Sequence, residues 1–209
     1  MAFQVYFAII HGVNRALRDQ TARRLATAAL TKAVGQVGTW RLAKESTGKP
    51  FVLEGDVAAS CHVSWSHSGA YLAAAATSAG PVGIDIETVR RDRNIAGIAE
   101  CAFGPMELKR FRQEGEAGFY RVWTLREAIA KANGTGLAEV TDRHDRVADG
   151  PASGTWRVND WHLLHQVILP HLHLAIAVRA PLKADAAWNR FTAGPDGDPA
   201  WTSSAPLPR

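Results

Sequence analysis

Cysteine is scarce: two residues in 209, Cys61 and Cys101, 40 positions apart. That excludes a disulfide framework and the paired spacing of a zinc or redox site, and the simple reading is a reducing compartment, the cytoplasm. Long apolar runs are missing too. Each is broken by Ser, Gly or charge before bilayer-spanning length, so no membrane-spanning helix is expected. The stretch Met1–Ile10 has no basic start and no Ala-x-Ala site, and it reads as a first strand, not a signal peptide. No internal repeat is visible. Basic residues are dispersed and no run interleaves them with aromatics, which argues against a nucleic-acid partner. A net charge of +4 and a pI near 9.3 suit a polyanionic ligand or an acidic protein partner instead. The length permits one large domain or two small ones, and 46% apolar residues is ordinary for a globular chain.

What is present centres on Val82-Gly83-Ile84-Asp85-Ile86-Glu87. It reads as a buried strand ending in charge. Side chains alternate along a strand, so Asp85 and Glu87 share a face, roughly 7 Å apart at the backbone. Two carboxylates so placed repel unless something positive lies between them. Oxygen-only ligands favour a hard cation, magnesium or alternatively manganese. The same six residues also suit a strand that simply runs out into solvent.

A second stretch is Trp123-Thr124-Leu125-Arg126-Glu127-Ala128-Ile129-Ala130-Lys131. It reads as a helix with Thr124 as N-cap, Glu127 completing a capping box, and Asn133-Gly134 as the stop. Glu127 and Lys131, four apart, share a face, as an ordinary surface ion pair also would.

In chain order, residues 3–10 are expected as a strand and Arg15 to Val34 as a helix carrying Arg18, Arg23, Arg24 and Lys32. Gly48-Lys49-Pro50-Phe51 is a turn. Val63 and Trp65 read as strand, and Ser66-His67-Ser68-Gly69 as a tight bend. The stretch lacks Gly-x-Ser-x-Gly, and adjacent Ser and His side chains of a strand diverge, which weighs against a Ser/His hydrolase. Tyr71 to Thr77 is a small-residue strand. The strands of His67, Tyr71–Thr77 and Asp85 are expected side by side in one sheet region. Thr88 to Asn94 reads as a solvated charged link. Pro105 and Glu107 open another helix, which Gly115 to Gly118 breaks. Asp142 to Gly154 is a polar loop. Trp156 to His165 and His171 to Val178 are two strands whose histidines, 162, 165, 171 and 173, have no metal-ligand spacing.

Taken together, the two central stretches resemble the 4′-phosphopantetheinyl transferases. Their signature is a Val-Gly-Ile-Asp strand followed, after about forty residues, by Trp-Ser/Thr-x-Lys-Glu-Ala-x-x-Lys. Here Asp85 and Glu127 are 42 positions apart, and Arg126 stands where that family has Lys. The resemblance covers residues 48 to 137. It is closest to the large single-chain type that activates surfactin synthetase. It implies an α+β fold, a pseudo-twofold pair of similar α/β lobes with the active site in the cleft between them. The N-terminal lobe would span 1–80, the C-terminal lobe 81–180, and 181–209 would be a loosely ordered tail. The implied activity is magnesium-dependent transfer of 4′-phosphopantetheine from coenzyme A to a serine of an apo acyl or peptidyl carrier protein, releasing 3′,5′-ADP. Such carriers serve fatty-acid, polyketide or nonribosomal peptide synthesis. Asp85, Glu87 and Glu127 would hold the metal, and Asp85, Glu127 and Lys131 would carry the chemistry. Lys49, Ser66, His67, Arg23, Arg24 and Lys131 would contact coenzyme A, and the protein would be a cytoplasmic monomer. The alternatives are a catalytically weak carrier-binding homologue and a metal-dependent phosphohydrolase.

Overall fold

The computed structural model describes residues 3–9, 15–35, 40–137, 145–180, 187–193 and 199–201. The chain is a mixed α+β fold. One sheet has the order β12-β11-β1-β6-β5, a second β7-β10-β9-β8, and a small hairpin sheet is β2-β3-β4. The elements of the first half are β1 (Phe3–Ile9), α1 (Arg15–Val34), β2 (Trp40–Lys44), β3 (Pro50–Glu54), β4 (Val57–Ala58), β5 (His62–Ser68) and β6 (Tyr71–Thr77). The second half has β7 (Val82–Thr88), α2 (Ile95–Ala102), α3 (Pro105–Asn133), a 3-10 turn (Asp145–Asp149), β8 (Gly154–Val158), β9 (Trp161–Leu169), β10 (Leu172–Val178), β11 (Ala187–Ala193) and β12 (Pro199–Trp201).

Burial arranges these elements in layers. Strand β6 lies inside its sheet, between β1 and β5, and its alanines are covered on both faces. Ala74 and Ala76 pack under α1 with Leu25, Ala29 and Leu30. Ala73 and Ala75 face Val82, Ile84, Leu174 and Ile176 of the second sheet. On the far side of that sheet, Ala175 and Ala177 meet Leu125, Ala128 and Ile129 of α3. The order is therefore helix, sheet, sheet, helix, and the alternation of β6 and β7 builds the middle layer. Small side chains let β6 sit closely between two packed layers.

Several expectations need correcting. The strand of Asp85 belongs to the second sheet, not beside β6 in the first. Serine side chains, not a backbone ladder, span the edge between β5 and β7: Ile84 N donates to Ser64 Oγ (3.2 Å) and Thr88 N to Ser68 Oγ (3.0 Å). The expected Ser-His-Ser bend is strand through Ser68, and the turn comes at Gly69, whose φ is +58°. Thr124 is no N-cap: it lies inside α3, and its Oγ1 donates to Tyr120 O at 2.8 Å. The apolar stripe Phe119, Tyr120, Val122, Leu125 extends the helix back past the capping signal, because burial outweighs a cap. One half of a capping box forms at the other end, where Gly104 N donates to Glu107 Oε2 (2.9 Å). Only Gly115 is non-helical within α3 (φ 61°, ψ −136°), and there the helix folds back on itself. Arg126 consequently reaches Glu107, and both side chains are fully buried.

The expected strand from Trp156 to His165 is two strands, β8 and β9, parted at Asn159, which has a positive φ of 53°. The polar loop of 142–154 lies partly outside the described residues. So does the tail, but two of its segments are strands, and β11 pairs in parallel with β1. The four histidines differ: His171 meets the Tyr71 hydroxyl at 3.0 Å, while His165 and His173 are buried and joined Nε2 to Nδ1 at 3.1 Å.

Candidate functional site

The site forms where β5, β7, α3 and the β2–β3 hairpin meet. Gly83 sets the approach. A Cβ built on it would stand 1.8 Å from Ala128 O and 2.7 Å from Ala132 N, so α3 lies directly on the strand. Gly83, Asp85 and Glu87 alternate onto that face, opposite Ile84 and Ile86. Glycine at 83 therefore allows the turn of helix carrying Glu127 and Lys131 to press against Asp85.

Asp85 is 4% exposed. Its Oδ1 accepts from Lys131 Nζ (2.6 Å) and Ser66 Oγ (2.7 Å), and Lys131 Nζ also donates to Ser66 Oγ (2.8 Å). The ion pair stands in place of the surface pair to Glu127 that the i,i+4 spacing also allowed. Glu87 is held at both oxygens: Oε2 accepts from Ser68 Oγ (2.9 Å) and Oε1 from Arg93 Nη1 (3.4 Å). Burial pushes the Glu127 carboxyl above its ordinary pKa; the charges of Asp85 and Glu87 push it further, while Lys131 and Arg93 oppose them. Three carboxylates thus sense one another across the interface of β7 and α3.

Among the described residues, no group of three or more His, Cys, Asp or Glu side chains is close enough to hold a metal ion as it stands. The donor chemistry nevertheless fits a hard cation. All three carboxylates offer oxygen, and Asp85 Oδ2 is buried without a hydrogen-bond partner. In the present arrangement, the cationic ends of Lys131 and Arg93 satisfy two of the three carboxylates.

The expected coenzyme A contacts are brought together in part. Lys49 Nζ crosses to α3 and donates to Ala132 O (2.7 Å), just before the left-handed Gly134 that ends the helix. A pocket of about 210 Å³ opens there, lined by Gly48, Lys49, Trp65, Lys131 and Gly134 among others. Arg23 leans toward it: its guanidinium carbon lies 5.9 Å from the Trp65 ring, with Lys44 Nζ 5.7 Å from the same ring. Arg24, about 100° further round α1, is exposed. His67 is exposed, on the opposite face of β5 from Ser66.

Sequence reading passed over four contributors. Ser64 and Ser68 were visible as every second residue around Ser66, on one face of a strand. Lys44 carried no local signal. Arg93 was grouped with a solvated charged link; its side chain is instead only 14% exposed.

Comparison with known proteins matches this region. Residues 81–178 fit the family model described as the 4′-phosphopantetheinyl transferase superfamily. That match covers just under half of the chain. Relatives include the 4′-phosphopantetheinyl transferase HetI of Nostoc sp., 27% identical over 64% of this chain and 58% of that protein. The 4′-phosphopantetheinyl transferase AcpT of Salmonella typhimurium is 39% identical over 33% of this chain and 38% of its own. The 4′-phosphopantetheinyl transferase ffp of Bacillus subtilis is 31% identical over 47% and 43%. The chain thus covers less than two thirds of the length of each of these superfamily members.

Proposed function

We propose that the chain transfers the 4′-phosphopantetheine group of coenzyme A to a serine hydroxyl of an apo acyl or peptidyl carrier protein, leaving 3′,5′-ADP. The observation that carries this reading is the Asp85–Lys131–Ser66 cluster, packed beside a Glu127 whose carboxyl is held above its ordinary range. The family match and the names of the relatives support it.

The chemistry follows from charge. A pyrophosphate brings about two negative charges into a site that already has three carboxylates. Asp85, Glu87 and Glu127 would hold magnesium, which when bound neutralises pyrophosphate oxygens and the charge that develops on the departing 3′,5′-ADP. Lys131, partly exposed above Asp85, is placed to donate to a phosphate oxygen while Ser66 keeps its ammonium oriented. The carrier serine must lose its proton as it attacks phosphorus. Glu127, on the same side of α3 as Lys131, is the group to take it. Lys49 and Arg23 offer cations, and His67 a ring nitrogen, to the 3′-phosphate end of the ligand, and Trp65 gives that pocket an aromatic wall. The reading extends to the large single-chain type of the family, acting as a cytoplasmic monomer.

The test is to incubate the protein with coenzyme A, magnesium and a panel of apo carriers, and to read intact mass. A carrier heavier by one phosphopantetheine group, with 3′,5′-ADP released, is expected. Binding of carriers without mass gain would favour a catalytically weak homologue, and coenzyme A cleavage without carrier would favour a phosphohydrolase.

A further inference from the structure

The loop after β7 carries Arg90, Arg91, Asp92 and Arg93. Arg90 and Asp92 pair with each other at the surface. Arg93 turns inward instead. Its guanidinium carbon lies 4.7 Å from the Trp123 ring centroid, 5.3 Å from Phe119 and 5.7 Å from Tyr120. Its Nη1 donates to Glu87 Oε1. A guanidinium that needed only solvation would stay outside, as Arg90 does. Here a planar cation lies against ring faces and keeps its donors for one carboxylate.

Those rings belong to α3, and Trp123 lies four and eight residues before Glu127 and Lys131, on the same side of the helix. Tyr120 also fixes the loop, since its hydroxyl accepts from Arg90 N at 2.8 Å. Arg93 therefore joins three parts: the loop, the end of β7 and the helix of Glu127. With Ser68 on the other oxygen, it leaves the Glu87 carboxylate little rotational freedom.

We propose that Arg93 is a positioning residue of the acidic site: it fixes the Glu87 carboxylate against α3, so that Glu87 and Glu127 bind one divalent cation together. This rests on the reading that these carboxylates hold the metal.

The experiment is a direct titration of the purified full chain with Mn2+, read as free ion by electron paramagnetic resonance, with no substrate present. Partners that orient metal ligands are worth about tenfold to a hundredfold in affinity. Arg93→Ala should thus weaken Mn2+ binding about tenfold or more. Arg93→Lys keeps the charge but not the planar stack, and should weaken binding at least about threefold. Simple electrostatics predicts the reverse, because removing a cation beside the site should tighten metal binding. Unchanged or tighter binding by Arg93→Ala, with wild type binding Mn2+, overturns the proposal alone. If Arg93→Ala does not fold, Arg93→Lys decides on the same terms. A wild type that binds no Mn2+ overturns the metal reading and the proposal with it.

Discussion

Gly83→Ala is the substitution that probes the site's construction most sharply. The new methyl would lie 1.8 Å from Ala128 O, 2.7 Å from Ala132 N and 2.9 Å from Ala128 C. All three are backbone atoms, so no rotamer change relieves the clash. Opening the closest contact from 1.8 Å to 3.0 Å requires β7 and α3 to part by about 1.2 Å. Overpacking of this kind costs about 1–3 kcal/mol. For a chain of this size, that corresponds to a melting temperature lower by about 2–12 °C. The functional loss should be larger. The Lys131–Asp85 contact of 2.6 Å spans the same interface, and a misplacement of about 1 Å can cost about a hundredfold in rate. Circular dichroism melting and the rate of carrier loading, measured on the same preparation, check both. A Gly83→Ala protein with wild-type melting and wild-type loading would refute the claim that this glycine sets the approach of helix to strand.

Three further outcomes are expected. Arg126 is buried with Glu107 between the two arms of the folded-back helix, away from the Asp85 cluster. Arg126→Lys should lower stability in a urea titration by about 1–3 kcal/mol, yet keep loading within about tenfold, or about 1.4 kcal/mol of barrier; a larger loss of rate at full folding would give Arg126 a role in the chemistry. The buried histidines should make the fold acid-sensitive. His165 Nδ1 faces Ala152 O at 2.7 Å, and burial lowers the pKa of His165 to about 3 and of His173 to about 4. Their folded pKa values lie below the unfolded one, so the unfolded chain binds more protons and stability falls as pH drops from about 6.5 toward 4. Each should cost on the order of 2 kcal/mol between pH 7.5 and 5, whereas the raised carboxyl of Glu127 acts the other way; urea titrations on wild type and on His165→Leu/His173→Phe should give a shallower slope for the double variant, and equal slopes would refute the assignment. Finally, if His67 reads the 3′-phosphate, His67→Ala should lose about tenfold of the preference for coenzyme A over dephospho-coenzyme A in calorimetric titrations; an undiminished preference returns His67 to a surface role.

The sequence made the local elements legible where one periodicity dominated. Strand β7 shows its alternation of Val82, Ile84 and Ile86 openly, and the bounds expected for α1 and β6 are those observed. Sites of long-range packing were not legible. Nothing in the Tyr71–Thr77 run says that β6 lies between two layers while β7 belongs to the next sheet. The capping signal at Thr124 misled, because the apolar stripe reached back to Phe119 and placed Thr124 inside a longer helix. The residues with opposite charges, Asp85, Glu87, Glu127 and Lys131, stood out by type. Their partners Ser68 and Arg93 did not, since each acts only through a contact that the fold creates.

The most direct measurement is intact mass of apo carrier proteins after incubation with coenzyme A, comparing wild type, wild type with excess EDTA, and Asp85→Ala. Asp85→Ala removes the shared acceptor of Lys131 and Ser66 and relieves carboxylate repulsion, so a folded, melting-competent protein is expected. Magnesium-dependent loading by wild type alone, with loss in both other samples, is the predicted result. Full loading by Asp85→Ala or in EDTA would contradict the account.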